Sequence, residues 1–511
     1  MLALLAVLST MHYEADVTPG GGDYVDVPFV VPAGTVEIQV SHTDGSDFVI
    51  LDWGVWSPEG FRGWGGGLTD DAIIGVAQSS RSYISGPITP GTWTVSIGKA
   101  KVDPATGGHY AIDVICRDNA TLTVLPKAAD APVVLSSERR WYRGDFHVHS
   151  EQSGDATATF AQIATLAQSR GLDFVNLSDH NTSSQLPLIA ALQPTLPNFL
   201  FLRGAEITTY QGHGNSVGTT GYVDHRIGFN GRTIDAVLDD VAAQGAIFIV
   251  NHPALELGGA CIGCSWKHDI DWTKVAGIEV LTGKWDLTER LFTPGAIAMW
   301  DAALDQGARI AAIGGSDDHR AGAGTGSTDT PLGSPTTLVL ADALSEAAII
   351  EGIRAGRTIV QLRGPDDPRV ELTLGDAQIG DTVGEIEAAE LRVHVTGGAG
   401  NFAQLWRDGV KTSQVEITSD DFTHVFDDGT AGAHRYRVEL INDTNNRIVI
   451  TSHIYATVVP GGCGCAASGP FGTGLLALLV ALTARAGRRV RRACAATCLC
   501  DDHASRASTG L

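Results

Sequence analysis

Between Asp16 and Leu125 apolar and polar positions alternate in short runs, YVDVPFVV, TVEIQVSH, DFVILDWGVW, TWTVSIGKA and YAIDVICR, each bounded by Gly, Pro or Asp. A period of two with regular turn residues places one face of each run on a core, and it predicts an antiparallel β-sandwich over residues 16–126. No cluster of reactive side chains falls within it, so the segment is read as a structural or binding module. The Pro/Ala stretch LPKAADAPVV then marks a linker, placed at 127–140.

Over residues 141–364 the pattern changes. Apolar strands (GDFHV, DFVNLS, FLFLRGAE, AIFIVN, GIEVL, RIAAIGG, TIVQL) alternate with helical periods (FAQIATLAQSR, IDAVLDDVAAQ, AIAMWDAALDQ, LSEAAIIEGIRAG). Strand and helix in alternation predict a largely parallel α/β sheet or barrel, and about seven strands favour the barrel. Residues 368–459 return to short alternating strands such as VELTL, LRVHVTG and RIVITSHIYATV, which predict a second, small β-sandwich. The expected fold class is therefore multidomain α/β plus all-β, and 511 residues at about 150 per domain agree with three domains.

The ends read differently. MLALLAVLST opens segment 1–15 as an apolar run without a preceding basic stretch; it is either a signal peptide shortened at its start, the preferred expectation, or a first β-strand. Segment 460–511 contains Cys463 and Cys465, a Gly/Ala/Pro spacer, the apolar run Phe471–Leu482 and five arginines between Arg485 and Arg492. That order resembles the MYXO-CTERM sorting tail of myxobacterial surface proteins. The resemblance implies export, a cell-surface, outer-membrane or secreted location, and transient membrane association through the tail.

Charge narrows the partners. With 35 Lys+Arg against 58 Asp+Glu the net charge is -23, which repels a phosphate backbone and argues against nucleic acid. A small-molecule substrate is expected instead. Cys261 and Cys264 have no second pair beside them to complete a zinc site, so they are read as a local disulfide pinning a loop.

The chemistry collects at strand ends. His147 and His149 close the first strand of the middle segment, Asp179 and His180 the second, Glu206 the third and His252 the fourth, while Asp317 and His319 follow RIAAIGG. In a parallel α/β barrel the carboxyl ends of all strands meet at one rim, so these residues converge. Imidazole and carboxylate without thiolate suit Zn, Mn or Fe. So many ligands exceed what one ion can use, which points to two or three divalent ions with a carboxylate such as Glu206 bridging them, and hence to hydrolysis.

The series FHVHS, Asp155, LSDHN, GAEIT, GHGN, NHP and GGSDDH resembles the PHP (polymerase and histidinol phosphatase) domain over about 220 residues. The resemblance implies a distorted (β/α)7 barrel with a trinuclear site. His147, His149, Glu206 and Asp317 would hold one ion, Glu206, His213 and His252 a second, and Asp155, His180 and His319 a third. Many PHP phosphatases carry His where this chain has Asp155, and the Asp is similar to the CehA/McbA-like branch of exported-looking hydrolases.

The preferred function is a phosphoesterase in which a metal-bridged hydroxide attacks, with Asp155 or Asp179 handling the proton; Asp179 is alternatively a group that orients a ligand. Two alternatives stay open. One is an amide, ester or carbamate hydrolase on the same fold. The other is a non-catalytic surface adhesin, which would need an exposed aromatic patch, with Trp53, Trp56 and Trp64 as candidates. Lys284, Arg203, Arg320 and Arg357 are candidates for holding an anionic substrate group. Oligomeric state is not legible.

Overall fold

The computed structural model describes residues 7–45, 49–323 and 330–459. The expected sorting tail, with Cys463, Cys465 and the arginine cluster, lies outside them. No helix among the described residues is long and apolar enough to cross a membrane.

The N-terminal segment forms two four-stranded antiparallel sheets. Val7–Val17, Gly108–Arg117, Glu37–Thr43 and Ala72–Gly75 make one; Tyr24–Val31, Gly91–Lys101, Ile50–Ser57 and Gly60–Gly66 make the other. The alternation works as expected: in YVDVPFVV the side chains of Val27, Phe29 and Val31 are buried, and they join Ile38, Trp93 and Val114 in one core shared by both sheets. Beginning within the apolar opening stretch, residues Val7–Val17 form the first strand, with Thr10 opposite Ile115 and Val17 opposite Gly108. Its side chains at Ser9, Met11 and Tyr13 are half-buried while their neighbours are exposed, a strand period of two.

The middle segment is mixed rather than largely parallel. Leu200–Leu202, Phe174–Leu177 and Arg140–Val148 run parallel, but Thr336–Ala341 and Thr358–Gln361 extend that sheet antiparallel. A second sheet orders Gly204–Thr209, Gly212–Val217, Ile247–Val250, Gly277–Thr282 and Ala311–Gly315, with its first two junctions antiparallel and its last two parallel. Two strands absent from the sequence reading, Gly212–Val217 and Thr336–Ala341, make this difference. The first reads GHGNSV, too polar to resemble a core strand, yet all six residues are buried: His213 faces Glu206, Asn215 Nδ2 donates to the Phe146 carbonyl and Ser216 Oγ to the Ala205 carbonyl. Parallel bridges from His180 to Glu206 and from Val148 to Asp318 tie the two sheets together at the ligand end.

Among the described residues the four longest helices lie on these sheets: Phe160–Ser169, Ile234–Ala243, Thr293–Asp305 and Glu346–Arg354. Thr159 and Gln162 form a capping box at the first, and Thr233 and Ser345 cap the second and fourth.

The C-terminal strands do not stand apart. Arg447–Thr451 pairs antiparallel with Thr358–Gln361, so one sheet runs from the middle segment through Gly432–Ile441 to Val410–Glu416. Leu338 and Ile359 of the middle segment share a core with Val393, Val438 and Ile454. The described residues, through Val459, accordingly pack as one unit.

Candidate metal centre

Backbone geometry brings the nine predicted ligands together. His147 sits on the strand Arg140–Val148 with His149 just past its end, Glu206 lies on Gly204–Thr209, and His213 on Gly212–Val217. His252 follows Ile247–Val250, and Asp317 and His319 follow Ala311–Gly315. His252 and Asp317 adopt positive φ, 26° and 57°, a strained conformation of the kind that collects at functional sites.

Glu206 is the hub. Its Oε1 lies 3.4 Å from His147 Nε2, 3.2 Å from His252 Nε2 and 3.4 Å from His213 Nδ1, and its Oε2 lies 2.9 Å from His180 Nδ1. Asp317 Oδ1 approaches His147 Nε2 at 3.2 Å and His149 Nε2 at 3.1 Å. Asp155 Oδ2 stands 3.2 Å from His180 Nε2 and 3.3 Å from His319 Nε2.

Three sets of candidate ligand atoms each fall within 4.8 Å of one another: His147, His149 and Asp317; His147, Glu206 and His252; and His149, Asp155, His180 and His319. His149 thus reaches the third set as well as the first. A further grouping, His213, His252 and Cys264, is closed to thiolate chemistry because Cys264 is bonded to Cys261, as the sequence reading expected.

The donor set fits divalent cations on an observation independent of spacing. His147 Nε2, His149 Nε2 and Glu206 Oε2 are buried without a well-aligned hydrogen bond, although oppositely charged groups stand 2.9–3.2 Å away. Polar atoms in that condition are costly unless something else satisfies them. Here all three point into the cluster where ions would sit.

A surrounding layer fixes each imidazole. Glu279, fully buried on Gly277–Thr282, accepts from His147 Nδ1 at 2.9 Å and from the His252 backbone N–H at 2.8 Å. Asn251 Nδ2 donates to Glu206 Oε1 at 2.9 Å. His213 Nε2 meets the Ile262 carbonyl at 3.1 Å and His252 Nδ1 the Cys264 carbonyl at 2.9 Å, which leaves Nδ1 of the first and Nε2 of the second facing Glu206. The disulfide loop therefore orients two ligands. Glu279 escaped the sequence reading; its signal was a carboxylate in the otherwise apolar run GIEVL.

Asp179 is buried, and its two oxygens accept from the Ser150 backbone N–H at 2.7 Å and the Ser150 hydroxyl at 2.8 Å. Burial pushes it up to about 6. It braces the loop after His149 and is not among the cavity's lining residues.

The electrostatics are those of a charge-dense cluster. Burial would lower His147, but Asp317, Glu206 and Glu279 hold it well above its ordinary value; Asp155 and Glu206 do the same for His180. His319 is raised to about 9 against its own burial, chiefly by Asp155. His149 goes the other way, to about 3, through burial and the neighbouring His319 and His180. Glu206, Asp155 and Asp317 all lie far below the carboxylate range despite burial, because histidines surround them.

The cluster opens into a cavity of about 650 Å³. Asp155, His180, Glu206, His213, His252, Asp317 and His319 line it, and its far wall comes from the N-terminal segment: Ile50, Asp52, Trp64, Leu68, Arg81 and Ala100. The sequence reading assigned that segment no chemistry. Lys284, Arg203, Arg320 and Arg357 do not line it; Arg203, for one, is committed to Glu346 and Asp130. Trp53 and Trp64 are each 3% exposed, and half-buried Trp56 lies under the Arg226 guanidinium at 4.0 Å, so the exposed aromatic patch an adhesin would need is missing at these residues.

The sequence matches no protein-family model and no curated protein. Among solved structures, a two-domain protein from Bacteroides vulgatus containing a predicted PHP-like metal-dependent phosphoesterase is similar at 18% identity, over 66% of this chain and 100% of its own, with a TM-score of 0.36. A protein from Bifidobacterium adolescentis assigned as a metal-dependent phosphoesterase is similar at 16% identity over 37% of this chain and 92% of its own, with a TM-score of 0.26. Both likenesses are weak, so the functional argument stands on this chain's own residues.

Proposed function

We propose that this chain is a metal-dependent hydrolase of the PHP type, a phosphoesterase acting on a small-molecule substrate with two or three divalent ions, Zn, Mn or Fe. The observation that carries the reading is the convergence of six histidines and three carboxylates around Glu206, with three of their buried atoms lacking a well-aligned hydrogen bond. The ions would acidify a water molecule and offset the charge that builds on the ester oxygens.

This chain's residues do the rest. Glu206 would help hold the ions, with His147, His213 and His252 facing its Oε1 and His180 its Oε2, and Asp317 would hold an ion together with His147 and His149. Asp155, which lines the cavity beside His180 and His319, is read as an ion ligand; the histidines that hold its carboxyl far below the usual range argue against its also serving as the base. Asp179 holds the Ser150 backbone so that His149 and Asp155 keep their positions. The cavity's volume falls within the range of about 300–1,000 Å³ usual for small-molecule sites.

The branch is read as CehA/McbA-like from Asp155, and the protein as exported to the cell surface or secreted, with transient membrane association through its C-terminal tail. The acidic surface, net charge -23, supports the exclusion of nucleic acid. A carboxylic ester or carbamate substrate is the second reading, favoured by the scarcity of cations in the cavity: Arg81 is the sole Lys or Arg among its described lining residues.

The test is to count bound metal by elemental analysis and, in the same preparation, to assay p-nitrophenyl phosphate, bis-p-nitrophenyl phosphate and a p-nitrophenyl carbamate, beside His147→Ala. Two or three ions with turnover lost in the variant support the reading, and the preferred substrate selects the bond. Less than one ion after reconstitution, with no turnover, sinks it.

A further inference from the structure

We propose that the N-terminal β-sheet segment is the substrate-selecting wall of the metal cavity, shaped for an ester with a single anionic group on an apolar, aromatic-sized organic group. The inference rests on the hydrolase reading for the position of the reacting bond, but its geometry is separate.

The wall is held on the ligand loops themselves. An ideal Cβ on Gly154, the residue before Asp155, would lie 2.5 Å from the Gly65 carbonyl oxygen and 3.6 Å from Leu68 Cβ, so the glycine-rich turn touches the ligand loop backbone to backbone. Ser82 Oγ donates to the Gln152 carbonyl at 2.8 Å, Thr182 Oγ1 donates to the Ser82 carbonyl at 2.9 Å, and Arg81 Nη1 donates to the Ala156 carbonyl at 3.3 Å. One N-terminal loop therefore clamps the segments carrying Asp155 and His180. Further out, Tyr210 donates its hydroxyl to Asp52 at 2.7 Å, and Phe61 stacks on Tyr222 with centroids 3.4 Å apart. Such a wall is fixed rather than a free module.

Its chemistry is mostly apolar. Ile50, Trp64, Leu68 and Ala100 of the N-terminal segment line the cavity, joined by Tyr210 of the middle segment. Asp52 is the one acid the N-terminal segment adds to the lining and is occupied by Tyr210; Arg81 is the one base, and Asp70 at 2.9 Å already shares it. A single anionic group at the ions can be satisfied there. A second phosphate, or a polyhydroxylated leaving group, would find only the shared Arg81, Thr69 and the glycine turn to pair with on this wall, and would leave most of its polar atoms against apolar side chains and Asp52.

The experiment is calorimetric binding of 2-phenylethylphosphonate and ethylphosphonate to the metal-loaded full chain, with Leu68→Asp and Leu68→Met in parallel and metal content measured in each. Neither probe can be turned over, so the outcome is independent of catalysis. The aromatic probe should bind about tenfold or more tightly than the ethyl one. Leu68→Asp should abolish that preference at unchanged metal content, and Leu68→Met should retain it. Equal affinity for the two probes in the native chain, or a preference that survives Leu68→Asp, overturns the proposal. A chain that prefers the aromatic phosphonate but hydrolyses no ester would leave this inference standing and refute the hydrolase reading alone.

Discussion

Replacing Glu279 by Gln removes a charge while keeping shape, at a residue that touches no substrate. One carboxylate oxygen accepts from His147 Nδ1 at 2.9 Å; the other accepts from the His252 backbone N–H at 2.8 Å and from the Thr282 hydroxyl. Whichever end the amide nitrogen occupies, a buried donor then faces another donor. A buried group left unsatisfied costs about 1–3 kcal/mol, so the metal-free variant should unfold earlier by that amount. The variant also loosens the orientation of His147, and loss of such an orienting partner lowers metal affinity by about 10- to 100-fold, or about 1.4–2.7 kcal/mol. Calorimetric titration of Zn or Mn into the metal-free protein, with a parallel melting curve, measures both. An affinity within about twofold of the native chain together with an unchanged melting temperature would refute the role given to Glu279.

Other perturbations separate the parts of the site. The double substitution Cys261→Ser, Cys264→Ser should free the carbonyls that orient His213 and His252, weakening the ion held with Glu206 by about tenfold while a tighter class of ion remains in the titration. Gly154→Ala drives a Cβ against the Gly65 carbonyl oxygen and should cost about 1–3 kcal/mol of stability in denaturant unfolding, because both partners are backbone. Metal uptake should release protons and tighten from pH 7 towards 9, since His147 and His180 are held well above 6.5 and His319 at about 9; calorimetry in two buffers of different ionisation enthalpy reads the release. In the metal-free protein the raised histidines contribute fully below 6.5 and lose their contribution as pH climbs through about 9. The depressed Glu206, Asp155 and Asp317 contribute fully above 4.5 and 3.8 and lose it as pH falls. Its melting temperature should therefore decline from pH 6.5 towards 9, while below 6.5 the depressed His149 costs stability that offsets the histidine gain.

The nine candidate ligands were legible in the chain because metal chemistry admits few residue types and strand ends place them at short, readable spacings. His147 and His149, Asp317 and His319 each lie two apart at the end of an apolar run, and that pattern survives any uncertainty about sheet direction. The alternation in YVDVPFVV likewise identifies its buried face without further information. The first strand was harder, since an apolar run at a chain start fits either a leader or a strand until its partner, Gly108–Arg117, is known.

Tertiary structure decided what depends on residues distant in sequence. GHGNSV is a fully buried strand only because Gly204–Thr209 and Ile247–Val250 flank it and its His213 faces Glu206. Glu279 is a structural carboxylate on a strand until folding puts it 2.9 Å from His147, 132 positions away. The cavity wall depends on the packing of two segments: nothing in Leu68 or Arg81 announces a site, and it takes contacts such as Gly65 with Gly154, Ser82 with Gln152 and Arg81 with Ala156 to bring them beside Asp155. Local sequence fixes residue type and periodicity because these act over a few bonds. Which surface closes over the ligands is set by long-range packing, whose energy is spread over many weak contacts that no single motif encodes.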